Sequence, residues 1–386
     1  MEQRRIAGKS HWYHETQSSA SRVHALPLVP EAATVNDPFL LDLTLPDDLY
    51  GEIDAVAAPA RKLYALLFPQ RVQTTRLRTF SAYDRLSTAL TVAQVFGVQR
   101  LCNHYAARLA PLAAPDSSRE SNCRLAQITQ YARQLAASPS VIDTRARQQL
   151  EEVGLTLFDI VLFNQIVGFI AFQARVLAIL QALLGQPVRY IPGMETQPPA
   201  DASLFAAENA GWQAAIEAVD PRISNAAQMG SLAHWQPLPE LRQLAPLLAH
   251  EHLLLNELGE ICQQVNAMTP NKTLGWLVGA CTARINGSTG CFAERLQRGV
   301  HAAGLREALR QGEPALSAFL ADNAKERTLV QAVQVLTCAP DRFSPAQLAA
   351  LSDAGFSSGV AFSLLLRCAL CGWINRLKIA LGEPAA

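Results

Sequence analysis

An internal repeat constrains the fold of this chain more than any other feature of its sequence. Glycine, hydroxyl, aromatic and arginine positions recur in the same order 201 residues further along the chain. The paired positions are Gly154 and Gly355, Thr156 and Ser357, Phe172 and Trp373, and Arg175 and Arg376. In each copy the glycine is a candidate left-handed end of one helix, and the hydroxyl residue is a candidate cap of the next. The repeat therefore predicts two related helical units produced by duplication.

A second shared pattern precedes each copy. The front half reads Gly97-Val-Gln-Arg-Leu-Cys102 and the rear half reads Asn286-Gly-Ser-Thr-Gly-Cys291. Both place a cysteine shortly after a glycine that is expected to end a helix. Aligned on their cysteines, the two segments differ by one inserted residue.

The predicted fold class is all-α, with two tandem helical-bundle domains. Hydrophobic residues recur at the helical period over most of the chain, and few segments alternate at the period of a strand. Ser81 followed by Asp84 predicts a capped helix start, and Gly97 predicts the end of that helix. A shorter helix is predicted over Ala58–Phe68, stopped by Pro69.

Four segments are expected. Residues 1–80 form a polar N-terminal segment plus a helical lead-in, and residues 81–187 form the first helical domain. Residues 188–240 contain several prolines and have weak periodicity, so we expect a connector with local helix at most. Residues 241–386 form the second domain.

Charge and composition exclude several classes of function. The 33 basic and 33 acidic side chains cancel, and no segment gathers the basic cluster that nucleic acid requires. The first residues lack the apolar stretch of a signal peptide, so a cytoplasmic location is expected. The apolar stretch Ile160–Ala174 is interrupted by amide side chains and predicts a buried helix rather than a membrane span. In that compartment the eight cysteines are expected to be mostly reduced.

The rear motif resembles a known family. The segment Ala283-Arg-Ile-Asn-Gly-Ser-Thr-Gly-Cys-Phe-Ala-Glu-Arg295 is similar to a stretch of the alkylhydroperoxidase D and carboxymuconolactone decarboxylase families (AhpD-like below). There an Arg-x-Asn-Gly lead is followed by Cys-x-x-Cys and, four residues later, by histidine. Residues 81–187 and 241–386 both fit this pattern. The resemblance implies two AhpD-like domains, a small hydroperoxide or apolar small molecule as ligand, an external thiol reductant, and a homo-oligomer.

The departures from the family pattern fall on its chemistry. Family peroxidases use two cysteines, a histidine and a glutamate to activate one thiol and recycle it through a disulfide. In the rear half the resemblance places Ser288 at the first cysteine, Arg295 at the histidine and Trp276 at the glutamate, and only Cys291 remains. In the front half it leaves Cys102, and the other motif positions are occupied by Gln99, Ala106 and Ser87. Neither half keeps the complete relay.

Two interpretations of Cys291 stay open. A thiol in the first turn of a helix, with Arg295 one turn further on, is favoured as a thiolate, although Glu294 opposes this. Without a second cysteine at Ser288, a sulfenic acid at Cys291 would need an external thiol for its reduction. Alternatively, Cys291 is a small buried hydrophobe inherited from an active ancestor. Cys102 is the weaker candidate for the same chemistry.

Other candidate sites are interpreted as structural. His104 is expected to be a packed histidine, and the Cys368/Cys371 pair lies within an apolar helix and is expected to be core packing. The histidine pairs at residues 11 and 14 and at 250 and 252 are too sparse for a metal site. No dinucleotide-binding or phosphate-loop motif is present, so neither a cofactor nor a metal is expected.

Two hypotheses of function follow. The first is a thiol-dependent peroxidase that acts on a small hydroperoxide at Cys291. The second is a catalytically inactive scaffold or small-molecule-binding protein, which Ser288 and Trp276 favour. A ring-opening decarboxylation is weaker than either, because the chain supplies no acid and base groups for it.

Overall fold

The fold was analysed in a computed structural model, which describes residues 29–188, 196–206, 211–269, 271–300 and 302–384. Within these residues the chain is all-α, as predicted. The front half contains α1 (Asp47–Leu67), α2 (Ala82–Phe96), α3 (Gln99–Leu109), α4 (Arg119–Ala137), α5 (Thr144–Glu152) and α6 (Leu157–Leu183). The rest contains α7 (Ala226–Trp235), α8 (Ala245–Leu248), α9 (His252–Met268), α10 (Lys272–Asn286), α11 (Thr289–Gly299), α12 (Ala303–Gln311), α13 (Glu313–Phe319), α14 (Ala324–Cys338), α15 (Pro345–Asp353) and α16 (Ser358–Leu381).

Short elements complete the described part of the chain. The 3₁₀ helices are Pro30–Ala33, Pro139–Val141, Ala202–Phe205, Ala249–Glu251 and Pro340–Arg342. A single antiparallel pair joins β1 (Trp212–Ala214) in the connector to β2 (Gly382–Pro384) after α16, with Gln213 opposite Glu383. The connector also contains α7, so it holds more regular structure than its prolines suggest.

The predicted ends of α2 are confirmed. The Ser81 hydroxyl accepts a hydrogen bond from the Asp84 backbone N–H at 3.1 Å, and the Asp84 carboxylate accepts one from the Ser81 N–H at 3.0 Å. Such a capping interaction stabilises a helix by about 1 kcal/mol. Gly97 ends the helix with a φ of 66°, a left-handed conformation that favours glycine.

The predicted start of the first helix is wrong, because α1 begins at Asp47 and not near Ala58. Pro59 lies inside the helix. The upstream turns form a buried face that includes Ile53 and Val56 and packs against α9. Burial of this face outweighs the helix-breaking effect of proline that the sequence suggests.

Corresponding helices of the two halves are separated by constant numbers of residues along the chain. The bounds of α15 and the start of α16 lie 201 residues after those of α5 and α6. The bounds of α10 and α11 lie 190 residues after those of α2 and α3. Gly154 and Gly355 share a φ of 84°. Positions related by these offsets are called counterparts below.

The two long apolar helices α6 and α16 pack against each other at the centre of the molecule. Both are long and apolar enough to cross a membrane by length and composition alone, but 89% and 94% of their most apolar windows are buried within the protein. Trp373 of α16 fits against Gly168 of α6, where an added Cβ would lie only 1.9 Å from the indole ring. The burial agrees with core helices.

Arg175 and Arg376 occupy equivalent places on α6 and α16. Each donates to the carbonyl four residues earlier in its own helix, at 2.8 and 3.0 Å. Each also donates to a carbonyl near the end of a helix of the other half, Arg175 to Thr337 at 2.7 Å and Arg376 to Ala136 at 2.8 Å. Since Ala136 and Thr337 are themselves counterparts, the two arginines bind the halves together through one reciprocal arrangement.

Candidate functional site

Cys291 is the third residue of α11, in the first turn, as predicted. Gly287 ends α10 with a φ of 80° and lets the chain reverse directly into α11. The Cys291 residue is only 3% exposed. Burial raises the pKa of the Cys291 thiol, and Glu294 raises it further, whereas Lys378, Ser288 and Arg295 lower it without reversing the shift. The thiol thus lies at the helix start, as expected, but it is buried from solvent.

Of the other positions that the resemblance marks, Ser288 and Arg295 are also buried and Trp276 is half-buried. Ser288 precedes the first turn of α11, and its side chain acts to lower the pKa of the Cys291 thiol. A hydroxyl cannot form a disulfide, so Ser288 cannot resolve an oxidised Cys291. Trp276 packs against Gly299, where an added Cβ would lie 1.8 Å from the ring. The indole therefore fills the place where the resemblance expects a glutamate.

Arg295 belongs to a buried ionic cluster, which we define as Glu240, Arg295, Arg367 and Asn266. The Glu240 carboxylate lies 3.6 Å from the Arg295 guanidinium and 2.9 Å from that of Arg367. It also accepts a hydrogen bond from the Asn266 amide at 3.2 Å. Burial alone would raise the pKa of Glu240, but Arg367 and Arg295 lower it below its usual range. The cluster holds two guanidinium groups and one carboxylate.

The sequence analysis missed Glu240 and Arg367. An arginine within the apolar run of α16 was a visible signal for Arg367, because its front counterpart is Ile166. Glu240 gave no signal, since it ends the expected connector and reaches Arg367 only through the tertiary fold.

The connector closes the start of α11. The Trp212 indole N–H donates to the Lys378 carbonyl at 2.8 Å, and the Lys378 ammonium lies 4.8 Å from the centre of that ring. A Cβ added at Gly290 would lie 2.9 Å from the Trp212 side chain. The Lys378 ammonium also contacts the Glu294 carboxylate at 3.1 Å. Trp212 therefore packs over the first turn of α11 at Gly290, the residue before Cys291.

The expected equivalence of Cys102 with Cys291 is wrong. In both halves the second helix begins two residues after the left-handed glycine, so no inserted residue separates the two segments. The counterpart of Cys291 is Leu101, and that of Cys102 is Phe292. Cys102 is the fourth residue of α3 and is 7% exposed. The glycine, and not the cysteine, sets the register of each helix.

His104 is a packed histidine, as interpreted from the sequence. Its ring bonds the Tyr64 hydroxyl at 2.6 Å and the Ala32 carbonyl at 2.7 Å. Burial lowers the pKa of His104 to about 4, and the nearby Arg108 adds to that shift against the hydrogen bond to Ala32. The ring is therefore neutral near pH 7.

The remaining candidates behave as structural groups. Cys368 is fully buried, and its sulfur lies 3.4 Å from the Thr337 hydroxyl and 3.6 Å from that of Thr282. Cys371 is buried one turn further on. The eight cysteines are free thiols. In the described residues no histidine, cysteine or carboxylate cluster could hold a metal, and the pair at residues 11 and 14 lies outside them.

The clefts on the described surface include two of similar volume. One, of about 640 Å³, lies over the start of α3 and is bordered by the end of α6 and by the short helix Pro340–Arg342. We call it the front cleft. The other, of about 620 Å³, lies between α1, α7 and α9. Neither cleft is lined by Cys291, Ser288 or Arg295.

No protein-family model matches the chain, and a search of curated proteins finds no match.

Proposed function

We propose that this protein is an AhpD-like helical scaffold of two tandem domains that binds a small molecule and has lost peroxidase catalysis. The observation that carries the proposal is the closure of Cys291, whose thiol is buried and whose pKa is raised. A peroxide-reducing thiol has to be reached by its substrate and has to react as the thiolate. A cytoplasmic location and assembly as a homo-oligomer belong to the same proposal.

The groups around Cys291 support this conclusion. The resemblance implies a second thiol, a histidine and a glutamate, and the corresponding positions are occupied by Ser288, Arg295 and Trp276. The guanidinium of Arg295 stays protonated at any working pH, so it cannot exchange a proton as histidine does. The indole of Trp276 has no acidic or basic group for the same purpose.

Site-specific oxidation tests the proposal. The protein is treated with hydrogen peroxide and a sulfenic-acid trap, and each cysteine peptide is quantified by mass spectrometry. Cys123, which is exposed, reports that peroxide and trap are active. We expect labelling at Cys123 and none at Cys291, with the same slow peroxide loss in wild type and in Cys291→Ser. Peroxide consumption that depends on Cys291 and on an added thiol would overturn the proposal.

The alternative is a slow thiol-dependent peroxidase at Cys291. One observation favours it: Lys378, Ser288 and Arg295 all act to lower the thiol pKa. On this hypothesis an external thiol reduces the sulfenic acid. The triple variant Ser288→Cys, Arg295→His and Trp276→Glu should then raise turnover, whereas an inactive scaffold would gain nothing or fail to fold.

A further inference from the structure

Arg175 and Arg376 bring two positive charges together where the two halves meet. Both side chains are fully buried, and their guanidinium carbons lie 4.6 and 5.3 Å from the centre of the Phe96 ring. A Cβ added at Gly372 would lie 3.5 Å from Nη1 of Arg376 and 3.7 Å from Nε of Arg175. The two guanidinium groups therefore border one place beside Gly372, which we call the arginine site.

No acidic side chain of the described residues compensates this pair. Neither arginine forms an ion pair with a carboxylate in the part of the chain that the structure describes. Two thiols lie near, Cys338 and Cys368. Burial raises the pKa of Cys338 to about 11 and also raises that of Cys368, so both are neutral near pH 7. The thiols therefore supply no counter-charge.

The ends of two helices supply part of the compensation. The Thr337 carbonyl that binds Arg175 belongs to the last turn of α14, and the Ala136 carbonyl that binds Arg376 belongs to the last turn of α4. The C-terminus of an α-helix carries about half an elementary negative charge. Two such ends offset about one of the two positive charges, so about one positive charge remains.

One donor of the pair is left without an acceptor. Nε of Arg175 is buried and has no hydrogen-bond partner, whereas Nη1 and Nη2 of the same side chain donate to carbonyls. A buried donor on a charged group that stays unpaired is costly. This Nε is the atom that borders the arginine site.

Gly372 leaves room at that place for a small group. Its front counterpart, Ala171, carries a methyl group. A methyl group at Gly372 would meet both guanidinium groups at ordinary van der Waals distances, and chloride is about as large as a methyl group. A small ion therefore fits beside Gly372 better than a bulky oxyanion such as sulfate.

We propose that the arginine site binds one small monovalent anion of the chloride class, which accepts hydrogen bonds from Nε of Arg175 and Nη1 of Arg376. The single charge of the anion matches the one that the helix ends leave uncompensated. The proposal does not depend on the proposed function, because it assigns the anion to the contact between the halves. Unfolding separates the two arginines and releases the anion, so the anion should stabilise the folded protein.

Thermal unfolding of the full chain in two sodium salts tests the proposal. Sodium chloride is compared with sodium gluconate at matched ionic strength, so that general screening is the same, and gluconate is too large for the arginine site. We expect each tenfold rise in concentration to raise the melting temperature by about 2 °C more in chloride than in gluconate. Equal melting temperatures in the two salts would overturn the proposal.

Two glycine variants of α16 locate the effect. Gly372→Ala places a methyl group in the arginine site and should abolish the difference between the salts. The matched control is Gly359→Ala, the same substitution in the same helix at an exposed glycine with no atom within 4 Å of the added Cβ. Gly359→Ala should keep the full chloride effect. A chloride effect that persists unchanged in Gly372→Ala would refute the site.

Bromide gives a direct readout that needs no variant. Crystals of the wild-type protein grown in sodium bromide should show an anomalous scattering peak between Arg175 and Arg376. A water molecule at that place, with bromide bound only at the protein surface, would refute the proposal.

Discussion

The two halves share their helices and differ in what those helices bury. At counterpart positions the rear half has Cys291, Arg295, Arg367 and Cys371, and the front half has Leu101, Tyr105, Ile166 and Ile170. At these positions the rear half has buried charges and thiols, and the front half has apolar or aromatic side chains. Buried ion pairs are seldom more stable than well-packed apolar residues of similar size. The front half therefore shows that the scaffold does not need the buried ionic cluster in order to fold.

The halves also differ at their surfaces. In the rear half Trp212 packs against Gly290 at the start of α11, whereas in the front half a cleft opens over the start of α3. The buried Cys291 thus lies in the half where the first turn of its helix is covered.

The largest expected effect comes from breaking the buried ionic cluster. Glu240→Gln keeps the shape of the side chain but leaves Arg295 and Arg367 without their carboxylate. We expect a loss of about 3–5 kcal/mol in the free energy of unfolding, measured by chemical denaturation. The matched control is Asp54→Asn, which removes an exposed carboxylate 2.7 Å from Arg61 and should cost less than about 1 kcal/mol.

Replacing the charges of the buried ionic cluster with apolar and aromatic side chains, as in the front half, makes the same test sharper. The triple variant Glu240→Leu, Arg295→Tyr and Arg367→Ile removes all three charges together and introduces the front residues at two positions. We expect it to be more stable than Glu240→Gln, because no unpaired charge remains. A triple variant less stable than Glu240→Gln would mean that the rear half requires its ions for packing.

The second effect concerns the surface difference. Trp212→Ala should cost about 3 kcal/mol, since it leaves a cavity where a half-buried indole packed. Free indole should restore part of that loss, and its stabilisation of the variant against thermal unfolding should exceed that of wild type. If indole raises the melting temperatures of both proteins equally, the removal of Trp212 leaves no indole-sized cavity in the rear half.

The sequence predicted the helix ends that glycines set better than the contacts between helices in the interior. Glycines such as Gly97 and Gly154 act locally through their backbone conformation, so they could be recognised without knowledge of the fold. The start of α1 depends on burial against α9, which only tertiary structure supplies.

The candidate site was predictable only in part. The position of Cys291 in the first turn of α11 followed from Gly287, a local signal. Its burial did not, because burial depends on tertiary contacts such as that of the neighbouring Gly290 with Trp212, which lies in a connector about 80 residues away. The match of Cys102 to Cys291 failed because cysteine, which has no backbone requirement, was used to align two helices whose glycines fix their register.

The third effect is a pH dependence of stability located in the front half. Burial lowers the pKa of His104 to about 4, against about 6.5 in an unfolded chain. Between these values the unfolded state binds more protons, so stability is complete above about pH 6.5 and falls as the pH drops toward 4. From pH 7 to pH 5 this amounts to about 2 kcal/mol.

The variant His104→Gln isolates that contribution. Its unfolding free energy is measured at pH 7 and pH 5 and compared with that of wild type, so that all other titrating groups cancel. We expect wild type to lose about 2 kcal/mol more than the variant over this interval. The same loss in both proteins would show that His104 becomes protonated without unfolding of its surroundings.

The smallest effects are expected at the two candidate cysteines of the sequence motifs. Cys102 and Cys291 are both buried near the starts of their helices, where each acts as a small hydrophobe. Replacing either with alanine should therefore cost about 1 kcal/mol in unfolding free energy. Cys102→Ala and Cys291→Ala should also consume hydrogen peroxide at the wild-type rate with a thiol reductant present. Loss of peroxide consumption in Cys291→Ala alone would contradict the comparison of the two halves, because the closed rear half would then be catalytic.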